Sequence, residues 1–383
     1  MKRKRIWQGS DRRGGHLIGG ILLLLTTLIT IFITTSISNV WADESFGTFS
    51  IAAYDAQTGE VGVAVQSRVF SVGPRVAWVK GGVGAIATQA QSNETFGPRG
   101  LLLMETGLSA EETLEWLLAQ DPGRENRQVG IVDINGGVAN WTGSGCADWA
   151  GDSSGTGFTC QGNILANAEV VAGMIKAFQE TEGQELARRM IAALHAAQAA
   201  GGDKRGQQSA AILIGRTHPD FPEYAYRYID IRVEDHTEPI AELDRLYQMY
   251  EAQGLVQAHL NFSDWMEANG DMDGARYERE RVAQVLTRAL KEDVRDAEML
   301  NSLAWFAATH DFHLPEALEA AQRAVGLEPK NSNILDTLGE THYRMGHYDK
   351  AIEVQNEAIA IAPDDEYLKE QLKKFEKAKA EGK

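Results

Sequence analysis

The stretch "GTFSIAAYDAQTGEVGVAVQSR", residues 47–68, decides the fold. Phe49, Ile51 and Ala53 recur at every second position, Ala56 to Gly59 make a turn, and Val61, Val63 and Val65 resume the alternation. A period of two on both sides of a glycine-containing turn is a β-hairpin. The hairpin opens on Gly47-Thr48, where a hydroxyl residue is either strand filling satisfied by its backbone or a nucleophile.

What precedes the hairpin bears on that choice. Lys2, Arg3, Lys4, Arg5, Arg12 and Arg13 lead into an apolar run from Leu17 to about Ile37, which ends at Val40-Trp41-Ala42. A basic head, an apolar middle and a small-residue exit read as a secretory signal over residues 1–42, cut after Ala42, and the domains are expected in the periplasm or outside the cell. The run is also long enough to span a bilayer, so the alternative is an uncleaved anchor facing outward, which would be the only membrane attachment. Arg12-Arg13 hints weakly at a twin-arginine route.

The chain has 383 residues, 43% of them hydrophobic and 24% charged, enough for two domains that each bury a core. Its net charge of −17 repels phosphate backbones, which argues against a nucleic-acid partner. The only cysteines, Cys146 and Cys160, can form a single disulfide in an exported chain, with two free thiols as the alternative. No histidine pair stands near them at ligand spacing, so no metal is expected, and no cofactor motif is present.

Beyond the hairpin, strand-like runs at 75–80 and 84–89 precede a helical stretch over about 97–120. A second hairpin turns at Asn135-Gly136-Gly137, and a glycine-rich loop over 143–157 leads to a strand at 158–162. Helices follow at about 166–180 and 183–199, then strands near 209–215 and 224–233. Antiparallel strands interrupted by paired helices describe an α+β sandwich over 48–238.

After about Asp235 the strands stop. Residues 239–290 read as an amphipathic helical connector that could be a degenerate repeat. Over 291–379 a repeat emerges: Pro329 and Pro363 stand 34 residues apart, and Ala317 and Ala324 are matched by Ala351 and Ala358 at the same offset. Leu335, Leu338, Gly339, Tyr343, Gly346 and Tyr348 fit the tetratricopeptide pattern, and Leu303, Trp305 and Leu318 read as core of the preceding copy. Such repeats bind a peptide or a protein partner, or serve as a structural or dimerising appendage.

"TFSIAAYDAQTGEVGVAVQSR", "GGVGAIATQAQSNETFGPRGL", "QGNIL" and "AAGGDKRGQQSAAILI", in that order over about Thr48 to Glu238, together resemble the bacterial family known as domain of unknown function 1028. The resemblance implies a four-layer αββα Ntn-hydrolase-like sandwich. In the wider Ntn group a Gly-Thr bond is cut by the protein itself and the freed threonine attacks an amide, and Gly47-Thr48 looks like that junction. Signal cleavage after Ala42 would leave Asp43 to Gly47 in front, so a second cut is required.

Carried over from the proteasome-like motif, Gln66-Ser67-Arg68 stands where Asp-Ser-Arg would, and Lys80 where a lysine would support the nucleophile. Gln66 departs from the acid. The candidates are therefore Thr48 as nucleophile, its α-amine (reference pKa about 7.7 to 8.0) as base, Arg68 and Lys80 as electrostatic support, and Asn163 or Gln89 as oxyanion donors. Asp203 and Ser209, in the loop "GGDKRGQQS", are carried over as neighbours of the nucleophile. Each has a plain alternative: solvated strand-end charge for Arg68 and Lys80, a turn asparagine for Asn163, a self-satisfied ion-pair loop for Asp203.

Two functions follow. The first is an exported amide-bond hydrolase acting on a peptide or small amide, with the repeats holding a partner. The second is a catalytically silent envelope protein that binds a ligand and scaffolds an assembly. Stacking of Ntn-like sheets would make homo-oligomers.

Overall fold

The computed structural model of the chain describes residues 47–217, 227–291 and 295–382; the leader read over residues 1–42 lies outside them, as do the first residues of the strand expected from 224. Two compact units result, one of residues up to 208 with 213–228, the other of 209–212 with residues from 229 onward.

In the first unit the hairpin forms as its alternation demands. β1 (Thr48–Asp55) and β2 (Glu60–Ser67) pair antiparallel, with Thr48 opposite Ser67 and Asp55 opposite Glu60. The Asp55 carboxylate accepts the N–H groups of Gln57 and Thr58, and Gly59 supplies the left-handed backbone (φ 71°) that closes the turn. β8 (Phe158–Asn163) lines the other side of β1, with Asn163 opposite Thr48. Together with β7 (Gly151–Gly155), β9 (Ser209–Gly215) and β10 (Arg227–Val233) they make a six-stranded sheet in the order β10-β9-β2-β1-β8-β7. A four-stranded antiparallel sheet takes β3 (Ala77–Lys80), β4 (Gly84–Ala90), β5 (Arg127–Asp133) and β6 (Val138–Thr142) in chain order.

Three local readings are corrected. The run at 75–80 begins as a short helix, α1 (Gly73–Val76), because Pro74 fixes φ at a helix start. The helix read over 97–120 is two, α2 (Phe96–Glu105) and α3 (Ala110–Ala119), divided by Gly107 at φ 101° and restarted by a capping box between Ser109 and Glu112. The glycine-rich loop contains β7.

Side chains alternate across each strand, so each sheet presents two different faces. Ile86, Val129 and Ile131 of the smaller sheet pack against Phe96, Met104, Leu114 and Leu117 of α2 and α3. On the larger sheet the Phe158 ring meets Phe178 of α4 (Glu169–Glu180) at 4.6 Å, and α5 (Leu186–Ala199) packs on β1 and β2. The other faces of the two sheets meet each other through β1, β4, β5 and β8. The result is the four-layer αββα sandwich that the resemblance implies.

From Pro239 onward the second unit is helical: α6 (Pro239–Tyr250), a π turn (Glu251–Leu255), α7 (Val256–Ala268), α8 (Met272–Lys291), α9 (Ala297–Thr309), α10 (Leu314–Leu327), α11 (Ser332–Arg344), α12 (Tyr348–Ile361) and α13 (Glu366–Glu381). Asp296, Asn331 and Asp365 each cap the helix that follows by accepting backbone N–H groups, so α9, α11 and α13 start alike. Ala317, Ala320, Ala321, Ala324, Ala351 and Ala358 are fully buried, the small side chains that let paired helices approach closely. Leu303 is core as read, whereas Trp305 and Leu318 are only partly buried. The connector is not a separate element: Val256, Leu260, Val282 and Leu286 share one core with Leu300 and Leu303.

Asp336 on α11 is buried and accepts from Gln355 Nε2 at 2.8 Å; burial first, and the Glu340 carboxylate one turn on, push its carboxyl up to about 6. Its folded value exceeds the usual one, so the contribution is fully present below pH about 4 and is lost as pH rises through 6. Asp336→Asn is expected to stabilise the helical unit at pH 7.5, by up to roughly 3 kcal/mol, and to flatten the pH dependence. Thermal unfolding of the full chain followed by circular dichroism between pH 4.5 and 7.5 checks both.

Candidate functional site

At the Thr48 end the layer between the two sheets is polar. Alternation from Thr48 turns Ser50 of β1, Gln89 of β4, Gln128 of β5 and Thr159, Gln161 and Asn163 of β8 into it, all buried. Burying amides is tolerable only where their hydrogen bonds are made. Here they are: Gln161 Nε2 donates to Ser50 Oγ (2.7 Å), Ser50 Oγ to Gln89 Oε1 (2.6 Å) and Gln89 Nε2 to Gln128 Oε1 (2.8 Å). Gln128 Nε2 donates in turn to Thr142 Oγ1 and to the carbonyl of Gly162, both at 2.8 Å. Gly130 carries no side chain because a β-carbon there would lie 2.3 Å from Gln161 Oε1.

This network ends on Thr48. Gln89 Nε2 donates to the Thr48 carbonyl (3.2 Å), and Asn163, opposite Thr48, donates to Gln128 Oε1 (3.0 Å). Both residues therefore hold the strand that carries the hydroxyl. Gln89 donates to that strand and to Gln128, so its amide positions Thr48, and Asn163 donates one N–H to Gln128.

The groups around the Gly47-Thr48 bond are others. Arg205 Nη2 donates to the Gly47 carbonyl oxygen at 2.7 Å, and Ser67 Oγ donates to the same oxygen through a very short bond. Thr48 Oγ1 lies 3.0 Å from Ser67 Oγ. A serine has one proton to give, and Ser67 gives it to Gly47, so Thr48 is the donor between the two hydroxyls. A continuous path Thr48 Oγ1–H to Ser67 Oγ–H to the Gly47 oxygen results. Asp203, its side chain fully buried, accepts from Arg205 Nε (3.1 Å) and Nη2 (2.7 Å), from the backbone N–H of Arg205 (2.9 Å) and from that of Arg68 (3.2 Å).

Of the sequence-derived residues, the structure brings Gly47, Thr48, Asn163, Gln89 and Asp203 together. Arg68 contributes its backbone, while its guanidinium turns outward to the Gln207 carbonyl (2.9 Å). Lys80 is elsewhere: it pairs with Glu105 at 2.7 Å and stands opposite Gly84, five residues along β4 from Gln89 and so about 17 Å from the Thr48 end. Gln66 stands opposite Phe49 in the register, so it faces the helical layer, away from Thr48. Among the described residues neither polar atom of its buried amide finds a partner. Ser209 opens β9, fully buried.

The disulfide is absent. Cys146 and Cys160 are both free: Cys146 Sγ donates to the Arg127 carbonyl (3.4 Å), whereas Cys160 shares the helix-facing side of β8 with Phe158. Burial raises the thiol pKa of both. Among the described residues no group of three or more His, Cys, Asp or Glu could hold a metal ion, and no helix is long and apolar enough to cross a membrane. Sequence reasoning missed Ser67 and Arg205 as site residues, although both lie inside stretches it singled out.

Gln128→Ala would orphan the groups that Gln128 serves, and a loss of about 3 kcal/mol is expected. Urea unfolding of the sandwich unit, followed by tryptophan fluorescence, measures it.

A family model described as a family of unknown function (DUF1028) matches residues 48–243, and a tetratricopeptide-repeat model matches residues 310–374. No curated protein matches the chain. Among solved structures, a Silicibacter pomeroyi protein of family DUF1028 is 33% identical, with 54% of this chain and 86% of that one covered and a TM-score of 0.48. The tetratricopeptide domain of Sgt2 from Aspergillus fumigatus is 23% identical over 31% of this chain and 80% of its own, at TM-score 0.25. The second such domain of human RPAP3, in complex with an HSP70 peptide, is 15% identical over 32% and 95%, at TM-score 0.23.

Proposed function

The chain belongs to the DUF1028 family, a family of unknown function, and within it we propose that this protein is an amide-bond hydrolase of Ntn type whose nucleophile, Thr48, is released by cutting the Gly47-Thr48 bond. One observation carries the reading: the Gly47 carbonyl oxygen is held by Arg205 Nη2 and Ser67 Oγ while the Thr48 hydroxyl stands on the same Ser67. A strand threonine that only fills space does not need a charged donor on the carbonyl before it.

The cut proceeds through the residues present. Thr48 Oγ1 attacks the Gly47 carbonyl carbon, its proton passing to Ser67 Oγ as Ser67 passes its own proton to the Gly47 oxygen. Arg205 Nη2 donates to the Gly47 oxygen and offsets the negative charge that gathers there during the transfer. The C–N bond breaks as the carbonyl re-forms and the relayed proton passes from the Gly47 oxygen to the Thr48 nitrogen, and an ester joins Gly47 to Thr48 Oγ1. Water hydrolyses that ester, leaving a Gly47 carboxylate and a free Thr48 amine. The amine, with a reference pKa of about 7.7 to 8.0, then serves as base when the same hydroxyl attacks a peptide or small amide. Asp203 fixes the guanidinium and so acts through Arg205. Lys80 and Gln66 have no part in this scheme.

The basic head, the apolar run and the Val40-Trp41-Ala42 exit support export, to the periplasm or cell exterior, with a retained anchor as the other route. Tetratricopeptide repeats bind protein partners or peptides, and residues 310–374 match them; a partner bound there would bring substrate or location to the hydrolase. The second reading, a silent binding protein, draws on Gln66, which stands in for the expected acid and faces the other side of the sheet.

N-terminal sequencing and intact mass of the exported protein separate the two. A chain that starts at Thr48 is expected; one that starts at Asp43, with Thr48→Ala unchanged toward amides, supports the binding protein. Thr48→Ala is expected to block the cut. Ser67→Ala and Arg205→Ala should each slow it by about 100-fold, and added guanidinium ion should partly restore Arg205→Ala. Loss of co-purifying partners on deleting residues 291–383 tests the role of the repeats.

A further inference from the structure

Resting on the reading of Thr48 as a released nucleophile, we infer that the site selects amides whose acyl group carries no side chain on the carbon next to the carbonyl, so that glycyl amides are its substrate class. The ester formed during the cut joins Thr48 Oγ1 to the acyl group of Gly47. That ester is itself an acyl-enzyme, with glycine as the acyl group. A substrate amide passes through the same species: Oγ1 adds to its carbonyl, the Thr48 amine carries the proton to the departing amine, the C–N bond breaks, and water then releases the acid. The surroundings of Gly47 are therefore those of a substrate acyl group on the same oxygen.

Those surroundings have no room for a β-carbon. A β-carbon built on Gly47 would lie 2.7 Å from both carboxylate oxygens of Asp203 and 2.8 Å from its carboxyl carbon. Contacts that close require something to move. Asp203 has nowhere to go: its side chain is fully buried, and its oxygens accept from Arg205 Nε, Nη2 and N and from Arg68 N. Its backbone is bridged to Leu165. A shift of Asp203 would also carry away Arg205, whose Nη2 holds the carbonyl oxygen at 2.7 Å. A branched acyl group thus loses either its fit or its oxyanion donor, whereas glycine keeps both.

The test uses the full chain purified with Thr48 as its first residue, as shown by sequencing. The probes are the p-nitroanilides of N-acetylglycine and N-acetyl-L-alanine, with the corresponding p-nitrophenyl esters to report acylation of Thr48 by intact mass where an anilide leaves too slowly. At least tenfold higher kcat/KM, or acylation rate, for the glycyl compound is expected after correction for the rates in buffer. Equal rates on a correctly released chain overturn this inference and leave the nucleophile standing. No adduct with either ester overturns the inference as well, and a chain not beginning at Thr48 removes the reading on which it rests.

Discussion

The sandwich depends on a constraint set between its two sheets: three glutamine side chains must find all their hydrogen bonds in a space closed to water. Gln89, Gln128 and Gln161 do so by donating to one another's neighbours and to the strands themselves. Apolar side chains would pack the sheets with equal ease and leave their relative position loosely defined, because apolar contact has no direction. Amides accept only a few geometries, and missing one costs about 1 to 3 kcal/mol. The first residue of β1 is therefore held from across the gap, by Gln89 on its carbonyl, as well as by its neighbours in the sheet.

On the proposed reading, a nucleophile held this way needs less from its own surroundings. Thr48 has Ser67 on its hydroxyl, and the carbonyl before it has two donors, one of them charged. Charge-assisted donors are the strong ones, and a guanidinium fixed by a buried carboxylate loses little freedom when charge develops beside it. In the proposed scheme Arg205 with Asp203 takes the place of a lysine beside the nucleophile, while Lys80 pairs with Glu105 at the other end of the sheet.

The hairpin, both units and the helical repeat were legible because each leaves a period: two in "FSIAAYD", 34 between Pro329 and Pro363. Thr48 and Asp203 were legible through resemblance. The amide layer was hidden, since Gln89, Gln128 and Gln161 are far apart in the chain and each alone reads as a polar strand residue. Lys80 misled for the complementary reason: its position in the sequence is right, but the antiparallel pairing of β3 with β4 puts it opposite Gly84, and register is not written in any single strand. Gln66 beside Ser67 shows how sharply one residue matters, because a step of one along a strand exchanges the face of the sheet.

The helical unit solves its polar problem differently. Glu340 and Asp336 lie one turn apart on α11, both buried, and like charges so placed repel. Glu340 is compensated twice, by Arg344 on its own helix and by Lys374 on α13, while Asp336 leans on Gln355 and keeps its proton longer than a solvated aspartate would. Lys374 also lies over the rings of Tyr343 and Phe375, and those rings stack at 5.0 Å. The two buried acids of α11 are thus already engaged by Arg344, Lys374 and Gln355, so a partner reaching them would meet groups already spent. Recognition at those two positions would then have to break pairs that hold α11 to α12 and α13, and each break would leave a buried acid without its partner.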